Sequence, residues 1–206
     1  MAPRELRESV GRDVLDRLEK YVTLLGKWRK ITNLIADESF VNIWDRHILD
    51  AFHLQRQQAV AKCWLDLGSG AGLPGAVLAI LLSDVADAQC HCVEIDRRKC
   101  SFLREVATQL AVPMKVHNAL VENLGASDMQ KIDVVTARAF SSIERILKIA
   151  DPFLSAGAVA ILPRGRQGHD EVARLNHDRY RVSSSPNPCL GDGVFVRIEL
   201  RASQSE

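Results

Sequence analysis

Residues 63–75 read Cys-Trp-Leu-Asp-Leu-Gly-Ser-Gly-Ala-Gly-Leu-Pro-Gly, an apolar segment with one acid that runs into four glycines. The next seven residues, 76–82, are all apolar and contain neither glycine nor proline. This pattern predicts a strand, a tight turn and a helix. Gly68, Gly70 and Gly72 can adopt positive φ and let a ligand lie against bare backbone, while the free N–H groups of the following helix favour an anion. The turn is therefore a candidate ligand-binding loop.

The acids around this turn indicate a ligand that contains a nucleoside. Asp66 lies two residues before Gly68, where it could fix the loop or a ligand ammonium. The next apolar segment ends at Glu94, 22 residues after Gly72, which is the distance at which a second strand ends in an acid that binds a ribose diol. Leu73 replaces the third glycine of the dinucleotide fingerprint, so a nicotinamide cofactor is the least favoured ligand. The spaced glycines behind Asp66 resemble the first motif of methyltransferases that depend on S-adenosylmethionine (SAM), and a turn without any ligand is the alternative.

Length and composition limit the possible domain organisation and partners. The chain has 206 residues and is 47% hydrophobic, which predicts one globular unit with a sizeable core. Within it we expect a helical extension over residues 1–58, packed on a main domain over residues 59–206. The 27 basic residues nearly balance the 26 acids, so net charge alone does not indicate a nucleic-acid partner.

The cysteines and the apolar runs suggest a cytoplasmic protein without a metal. Five cysteines are an odd number and no secretory signal precedes them, so reduced thiols are expected. Cys90 and Cys92 have no second ligand pair at a suitable spacing, and we therefore expect no metal site. The apolar run over 73–82 is too short to span a membrane.

Hydrophobic periodicity gives the order of the elements. Long helices are predicted over residues 4–30 and about 38–57, and in the second of these Arg46 and Asp50 are spaced to form an ion pair. Strands are then expected near 63–68, 89–94, 114–118, 132–137 and 157–162, and helices near 73–82, 96–110, 142–150 and 168–176. This alternation predicts a parallel sheet covered on both faces. The stretches 179–184 and 194–200 alternate apolar and polar residues and should form an antiparallel hairpin at the sheet edge.

Ligands of an open α/β sheet bind outside the carboxyl ends of its strands. At one of these ends, residues 118–122 could present backbone groups to an adenine edge. At the next, Arg138 follows an apolar strand, where an arginine is costly to bury unless it meets a carboxylate, a phosphate or a base. A structural ion pair is the alternative interpretation of Arg138. Phe140 could stack on a ring or simply be buried.

Together these residues carry a resemblance that covers nearly the whole chain. The sequence resembles the bacterial small-subunit ribosomal RNA methyltransferase G family, formerly called glucose-inhibited division protein B. The matching segments, in order, are Lys27-Trp28-x-Lys30-x-x-Asn33-Leu34, Arg46-His47-Ile48-Leu49-Asp50, residues 66–75, Lys99-x-x-Phe102-Leu103 and Arg138-Ala139-Phe140. The Gly-Leu-Pro-Gly ending of the glycine loop is unusual among methyltransferases.

The resemblance implies a fold and an activity. The fold is a three-layer, Rossmann-like class I methyltransferase of the α/β class. It has a mostly parallel seven-stranded sheet, a C-terminal antiparallel hairpin and an N-terminal helical extension. The activity is methyl transfer from SAM to N7 of a guanine in the 530 loop of 16S ribosomal RNA. The implied partner is 16S rRNA or the small-subunit particle, and we expect a monomer.

The resemblance also implies site residues. We expect seven residues to bind the cofactor: Gly68, Gly70, Leu73, Glu94, Val121, Glu122 and Arg138. Arg138 would lie between cofactor and RNA and is the candidate catalytic residue. Four basic residues are candidates for the RNA-facing surface: Lys27, Lys30, Arg46 and Arg164. The sequence departs from the family pattern at three positions. Leu120 replaces a common arginine, Ala71 replaces a common proline, and Arg164 replaces the usual lysine, which keeps the charge but changes the geometry.

Chemistry shapes the expected mechanism. Guanine N7 carries a lone pair and loses no proton on methylation, so no general base is needed. Catalysis should rest on alignment and on partial removal of water, with the target base displaced from its stack.

Two other functions fit the sequence: a SAM-dependent methyltransferase of a small molecule, and a non-catalytic RNA-binding assembly factor. The first would be indifferent to salt, and the second would not bind the cofactor.

Overall fold

The computed structural model describes residues 1–125 and 129–201 and contains one mixed sheet of seven strands. The strands are β1 Cys63–Leu67, β2 Gln89–Glu94, β3 Met114–Asn118, β4 Val134–Thr136, β5 Val159–Arg164, β6 Tyr180–Pro186 and β7 Val194–Leu200. Their order in the sheet is β3-β2-β1-β4-β5-β7-β6. The first five are parallel, while β7 runs antiparallel to both β5 and β6. The predicted parallel sheet with a C-terminal hairpin is confirmed.

Helices cover the sheet on both faces. They are α1 Arg4–Ser9, α2 Arg12–Trp28, α3 Asp37–Val41, α4 Leu49–Arg56, α5 Gly75–Leu81, α6 Arg97–Leu110, α7 Ile143–Ser155 and α8 Gly168–Ala173. A π-helical turn spans Trp44–Ile48, and a 3-10 turn spans Val121–Asn123. All five residues of β1 are buried, as expected for a central parallel strand packed on both sides.

Both long N-terminal helices predicted from the sequence are interrupted, so those predictions were wrong in extent. Gly11 has an extended backbone between α1 and α2 (φ −64°, ψ 157°), because glycine gains less than other residues from remaining helical. The region predicted as one helix over 38–57 divides into α3, the π-helical turn and α4. The predicted pair of Arg46 and Asp50 is also wrong, since Asp50 bonds to Arg138 and Asn187 instead.

The N-terminal helices share a core with the sheet. Leu18, Tyr21 and Leu25 of α2 are fully buried, and the Tyr21 ring lies 6.2 Å from that of Phe102 on α6. Burying a side chain of this size contributes roughly 1.5–3 kcal/mol. On the opposite face, α7 packs on β1, β4 and β5 through a second apolar cluster that includes Phe153. The division into a 1–58 extension and a 59–206 domain stays a proposal.

Candidate active site

The glycine loop after β1 requires its glycines. Gly68, Gly70 and Gly72 have φ of 71°, 55° and 82°, the left-handed region that favours glycine. A Cβ on Gly68 would lie 2.4 Å from Cδ2 of Phe140. A Cβ on Gly72 would lie 2.4 Å from the Cβ of Ala76 in α5. The backbone of this loop therefore packs too closely against its neighbours to carry side chains at these two positions.

Asp66 fixes this loop from beneath. Its carboxylate is buried, and Oδ2 accepts a hydrogen bond from the backbone N–H of Gly75 at 3.0 Å. Burial raises the pKa of Asp66 to about 6, although hydrogen bonds from Ser69 and Gly75 oppose the rise. Of the two roles considered for Asp66, the observed contacts are those of a residue that holds the loop.

Glu94 connects the glycine loop to the loop after β2, at the carboxyl ends of the strands. It ends β2, and its carboxylate accepts from the backbone N–H of Gly70 at 2.9 Å and from that of Asp96 at 2.8 Å. Asp96 in turn caps α6 by accepting from the N–H groups of Arg98 and Lys99. A carboxylate has about four acceptor positions, so two remain for hydroxyl donors of a ligand.

A cavity of about 260 Å³ opens beside Glu94, at the switch point of the sheet, where β2 and β4 lie on opposite sides of β1. It is lined by Gly68, Val93, Glu94, Ile95, Ala119, Leu120, Val121, Glu122, Ala139, Phe140 and Arg145. Four of the predicted cofactor residues are in this lining: Gly68, Glu94, Val121 and Glu122. Gly70 reaches the cavity only through its bond to Glu94, and neither Leu73 nor Arg138 is among the described residues that line it.

Sequence reasoning missed part of this lining. Ile95, which is 60% exposed, borders the cavity, as does Leu120, which is 49% exposed and belongs to the predicted segment 118–122. Arg145 also borders it and forms an ion pair with Glu122 at 2.9 Å. Ile95 follows directly after the acid that ends β2, which is the sequence signal that could have identified it.

Arg138 follows the end of β4 and belongs to a hydrogen-bond network that joins three parts of the chain. Its guanidinium donates to Oδ2 of Asp50 at 3.3 Å, to the carbonyl of Arg46 at 3.2 Å and to Nδ1 of His47. Asp50 also accepts from the side-chain amide of Asn187 at 2.6 Å. Burial raises the pKa of Asp50, against the opposing effects of Asn187 and Arg138. Arg138 thus meets the carboxylate that its position requires.

His47 is held as a neutral imidazole. Burial, together with the positive charges of Arg138 and Arg46, lowers its pKa to about 3. Because an arginine only donates hydrogen bonds, Nδ1 must be the acceptor, and the proton of the neutral ring is on Nε2. The remaining lone pair of His47 is therefore already used by Arg138.

A second cavity, of about 270 Å³, adjoins the first at Ala139, which lines both. Its other lining residues are Arg46, His47, Arg138, Pro163, Arg164, Gly165 and Leu190. The Arg164 side chain is only 11% exposed, and it donates to the carbonyl of Ser141 at 2.8 Å. The structure therefore brings Arg46, Arg138 and Arg164 together.

The other two predicted RNA contacts lie elsewhere. Lys27 and Lys30 are exposed at the end of α2 and just beyond it, and neither lines the second cavity. Lys27 borders a separate surface recess with acidic residues of α2, and Lys30 borders another around residues 29–37. Their contact with RNA stays a prediction.

Comparison with known families decides which class of methyltransferase this is. A family model described as rRNA small subunit methyltransferase G matches residues 14–186. The chain belongs to this family. Membership in the methyltransferase G family confirms the predicted enzyme class, an rRNA methyltransferase that uses SAM.

Individual relatives agree with the family assignment. The chain is 38% identical to the ribosomal RNA small subunit methyltransferase G of Paramagnetospirillum magneticum, covering 98% of this chain and 96% of that protein. It is 40% identical to the protein of the same name from Parvibaculum lavamentivorans, covering 92% and 84%. Among solved structures, a precorrin-6y C5,15-methyltransferase from Geobacter metallireducens has a TM-score of 0.54 at 13% identity, covering 74% of this chain and 87% of that one. This last likeness shows the fold alone.

Over residues 1–125 and 129–201, no three His, Cys, Asp or Glu side chains cluster as metal ligands. Within the same residues, no helix combines the length and hydropathy that a bilayer span requires. All five cysteines are free thiols.

In this member of the methyltransferase G family, Tyr21 supports the glycine loop from the N-terminal extension. Its hydroxyl donates to the carbonyl of Ala71 at 2.7 Å, and the side chain is fully buried. Sequence reasoning missed Tyr21, although its spacing from Leu18 and Leu25 places a hydroxyl on the apolar face of α2. The extension therefore contacts the glycine loop directly.

Removing this hydroxyl should weaken cofactor binding. In Tyr21→Phe the buried carbonyl of Ala71 loses its donor, at a cost of about 1–3 kcal/mol shared between stability and loop geometry. We expect the Kd for SAM, measured by calorimetry, to rise about 3- to 10-fold. The matched control is Tyr180→Phe in β6, which removes a hydroxyl outside both cavities and should leave the Kd unchanged. Equal affinities in both variants would show that the bond to Ala71 does not shape the loop.

Proposed function

We propose that this enzyme methylates N7 of a guanine in the 530 loop of 16S rRNA. The observation that carries the proposal is the junction of two cavities at Ala139: one fits an adenosyl group and the other is lined by arginines. A methyl donor in the first cavity and a nucleotide in the second would face each other across this residue. Family membership supplies the reaction class, and the residue pattern of the resemblance supplies the target.

The first cavity has the groups that an adenosyl cofactor needs. Glu94 has acceptor positions left for two ribose hydroxyls, while its bonds to Gly70 and Asp96 hold it in place. The backbone around Val121 would flank the adenine. Ile95 and Leu120 are apolar and half exposed, so a purine packed between them would remove their surface from water. When bound, SAM supplies an electrophilic methyl group.

The residues around Arg138 fit a reaction that needs no general base. The free lone pair of guanine N7 can attack directly, and the groups nearest the second cavity are poor proton acceptors. His47 uses its lone pair to bind Arg138, and Asp50 is shared between Arg138 and Asn187. The task of the protein is then to align the base and to exclude water. In this proposal Arg138 orients the target nucleotide.

The RNA partner should be recognised in part by charge. Arg46 is exposed at the second cavity, and Lys27 and Lys30 are exposed on the extension. We propose that these residues contact phosphates, with 16S rRNA or the small-subunit particle as the substrate. The proposal includes action as a monomer in the cytoplasm, which light scattering and cell fractionation would test.

Mapping the product tests the proposed function. Purified enzyme, isotope-labelled SAM and either 16S rRNA or small-subunit particles from cells lacking this activity would be incubated over a range of salt concentrations. Mass spectrometry of nuclease fragments should place one 7-methylguanine in the 530 loop, and its yield should fall steeply as salt rises. Label on a free nucleoside or another small molecule would instead support a small-molecule enzyme. Saturable RNA binding without SAM binding would support an assembly factor.

A further inference from the structure

The second cavity offers hydrogen-bond donors and no side-chain acceptor. Its described lining contains four polar side chains, of Arg46, His47, Arg138 and Arg164, and no carboxylate or amide among them. Arginine has five N–H donors and no acceptor. The lone pair of His47 is taken by Arg138, as described above. A ligand edge that faces these side chains should therefore present acceptors.

Among the purines, guanine presents such an edge. Its N7 and O6 are both acceptors, whereas adenine pairs its N7 with the donor amino group N6. The edge that carries N7 must face the methyl donor, so O6 enters the site together with it. A phosphate is also an acceptor, but part of this cavity is apolar surface from Ala139, Pro163 and Leu190, which suits a planar base better.

The three arginines of the cavity differ in how firmly they are held. Arg138 already donates to Asp50, to His47 and to a carbonyl. Arg46 is exposed, and its guanidinium has no ion pair among the described residues. Arg164 is 11% exposed, donates to the carbonyl of Ser141 and lies 3.4 Å from Oε2 of Glu171 through Nε. It is thus fixed in orientation, with N–H groups still free.

We propose that the target guanine occupies this second cavity and that Arg164 donates a hydrogen bond to its O6, which makes Arg164 the residue that selects guanine over adenine. The inference rests on the proposed rRNA methylation and assigns its base-recognition site. A fixed donor to O6 also holds N7, three bonds away on the same edge, in one orientation toward the first cavity. Adenine would place an N–H group against the guanidinium and leave both donors unpaired.

Base analogues at the methylated position test this assignment. The substrates are rRNA with guanine, inosine or 2-aminopurine at the target; all three have N7, and 2-aminopurine lacks O6. With wild-type enzyme we expect kcat/KM for guanine and inosine to agree within about threefold, and for 2-aminopurine to be about 100-fold lower. In Arg164→Met we expect guanine and inosine to fall about 30- to 100-fold while 2-aminopurine barely changes. The guanine to 2-aminopurine ratio should therefore collapse in the variant, and this comparison cancels any intrinsic difference in N7 reactivity.

Controls separate base recognition from charge and folding. Arg166→Met removes the same charge two residues away, outside both cavities, and should lower all three rates by one common factor. Arg164→Lys keeps a donor and should restore part of the ratio. The Kd for SAM reports whether the variants remain folded. An unchanged guanine to 2-aminopurine ratio in Arg164→Met would overturn the inference while leaving the proposed function intact, whereas absence of rRNA methylation by wild-type enzyme would overturn the proposed function itself.

Discussion

Arg138→Met is expected to lower the rate of rRNA methylation by about 100-fold or more, while the Kd for SAM changes by less than about threefold. The side chain lines the second cavity and is not among the described residues of the first, so its loss should affect the target nucleotide more than the cofactor. Methionine retains much of the volume of the arginine stem, which limits the cavity left behind. Single-turnover methylation and calorimetry with SAM measure the two effects separately.

Arg138 also balances a buried charge, and a second variant isolates that role. Without its partner, the carboxylate of Asp50, which is 2% exposed, is left unpaired at a cost of about 3–5 kcal/mol. Arg138→Met combined with Asp50→Asn removes both charges and should recover most of the lost stability in thermal unfolding. Methylation should stay low in the double variant. If it returned together with stability, Arg138 would be structural only, and wild-type activity in Arg138→Met would exclude it from the mechanism.

Glu94→Gln should raise the Kd for SAM about 30- to 300-fold. The glutamine has one acceptor oxygen, and its NH₂ group would face a backbone N–H that now donates to the carboxylate. The variant therefore loses charged acceptors for the ribose and also one of the bonds that hold Gly70 and Asp96. Hydrogen bonds to a charged group contribute about 1.5–3 kcal/mol each, which sets the expected range. Calorimetry or equilibrium dialysis with SAM measures the Kd directly.

Glu122→Gln is the matched control for Glu94. Glu122 lines the same cavity, but its side chain is 44% exposed and pairs with Arg145, and solvent screening makes such exposed pairs weak. If the backbone around Val121 flanks the adenine, this variant should bind SAM within about threefold of wild type. Equal losses in both variants would show that the cavity responds to its total charge and that Glu94 has no special role.

The sheet and its loop could be predicted because the signals are local. Glycines that need positive φ, an acid at a strand end and alternating apolar segments all lie within a few residues of the feature that they specify. This is why the parallel strands around the loop and the positions of Gly68 and Glu94 agree with the sequence analysis. The alternating residues of 179–184 and 194–200 predicted the C-terminal hairpin in the same way, and the resemblance added the enzyme class.

What the sequence missed depends on contacts between distant segments. The partners of Arg138 come from the π-helical turn and α4, about 90 residues earlier, and spacing along a helix pointed to Arg46 as the partner of Asp50 instead. Tyr21 contacts a loop 50 residues away. The breaks near Gly11 and around residues 42–48 were hidden because apolar spacing continues through them. Tertiary packing decided each of these cases.

Binding of SAM to the purified, ligand-free protein is the most direct test of the proposal that the glycine loop and Glu94 form an adenosyl site. Equilibrium dialysis with labelled SAM should show one saturable site per chain, with label displaced by the demethylated product and bound much more weakly by Glu94→Gln. Absence of saturable binding up to about 1 mM SAM would contradict the proposed adenosyl site and the function that depends on it.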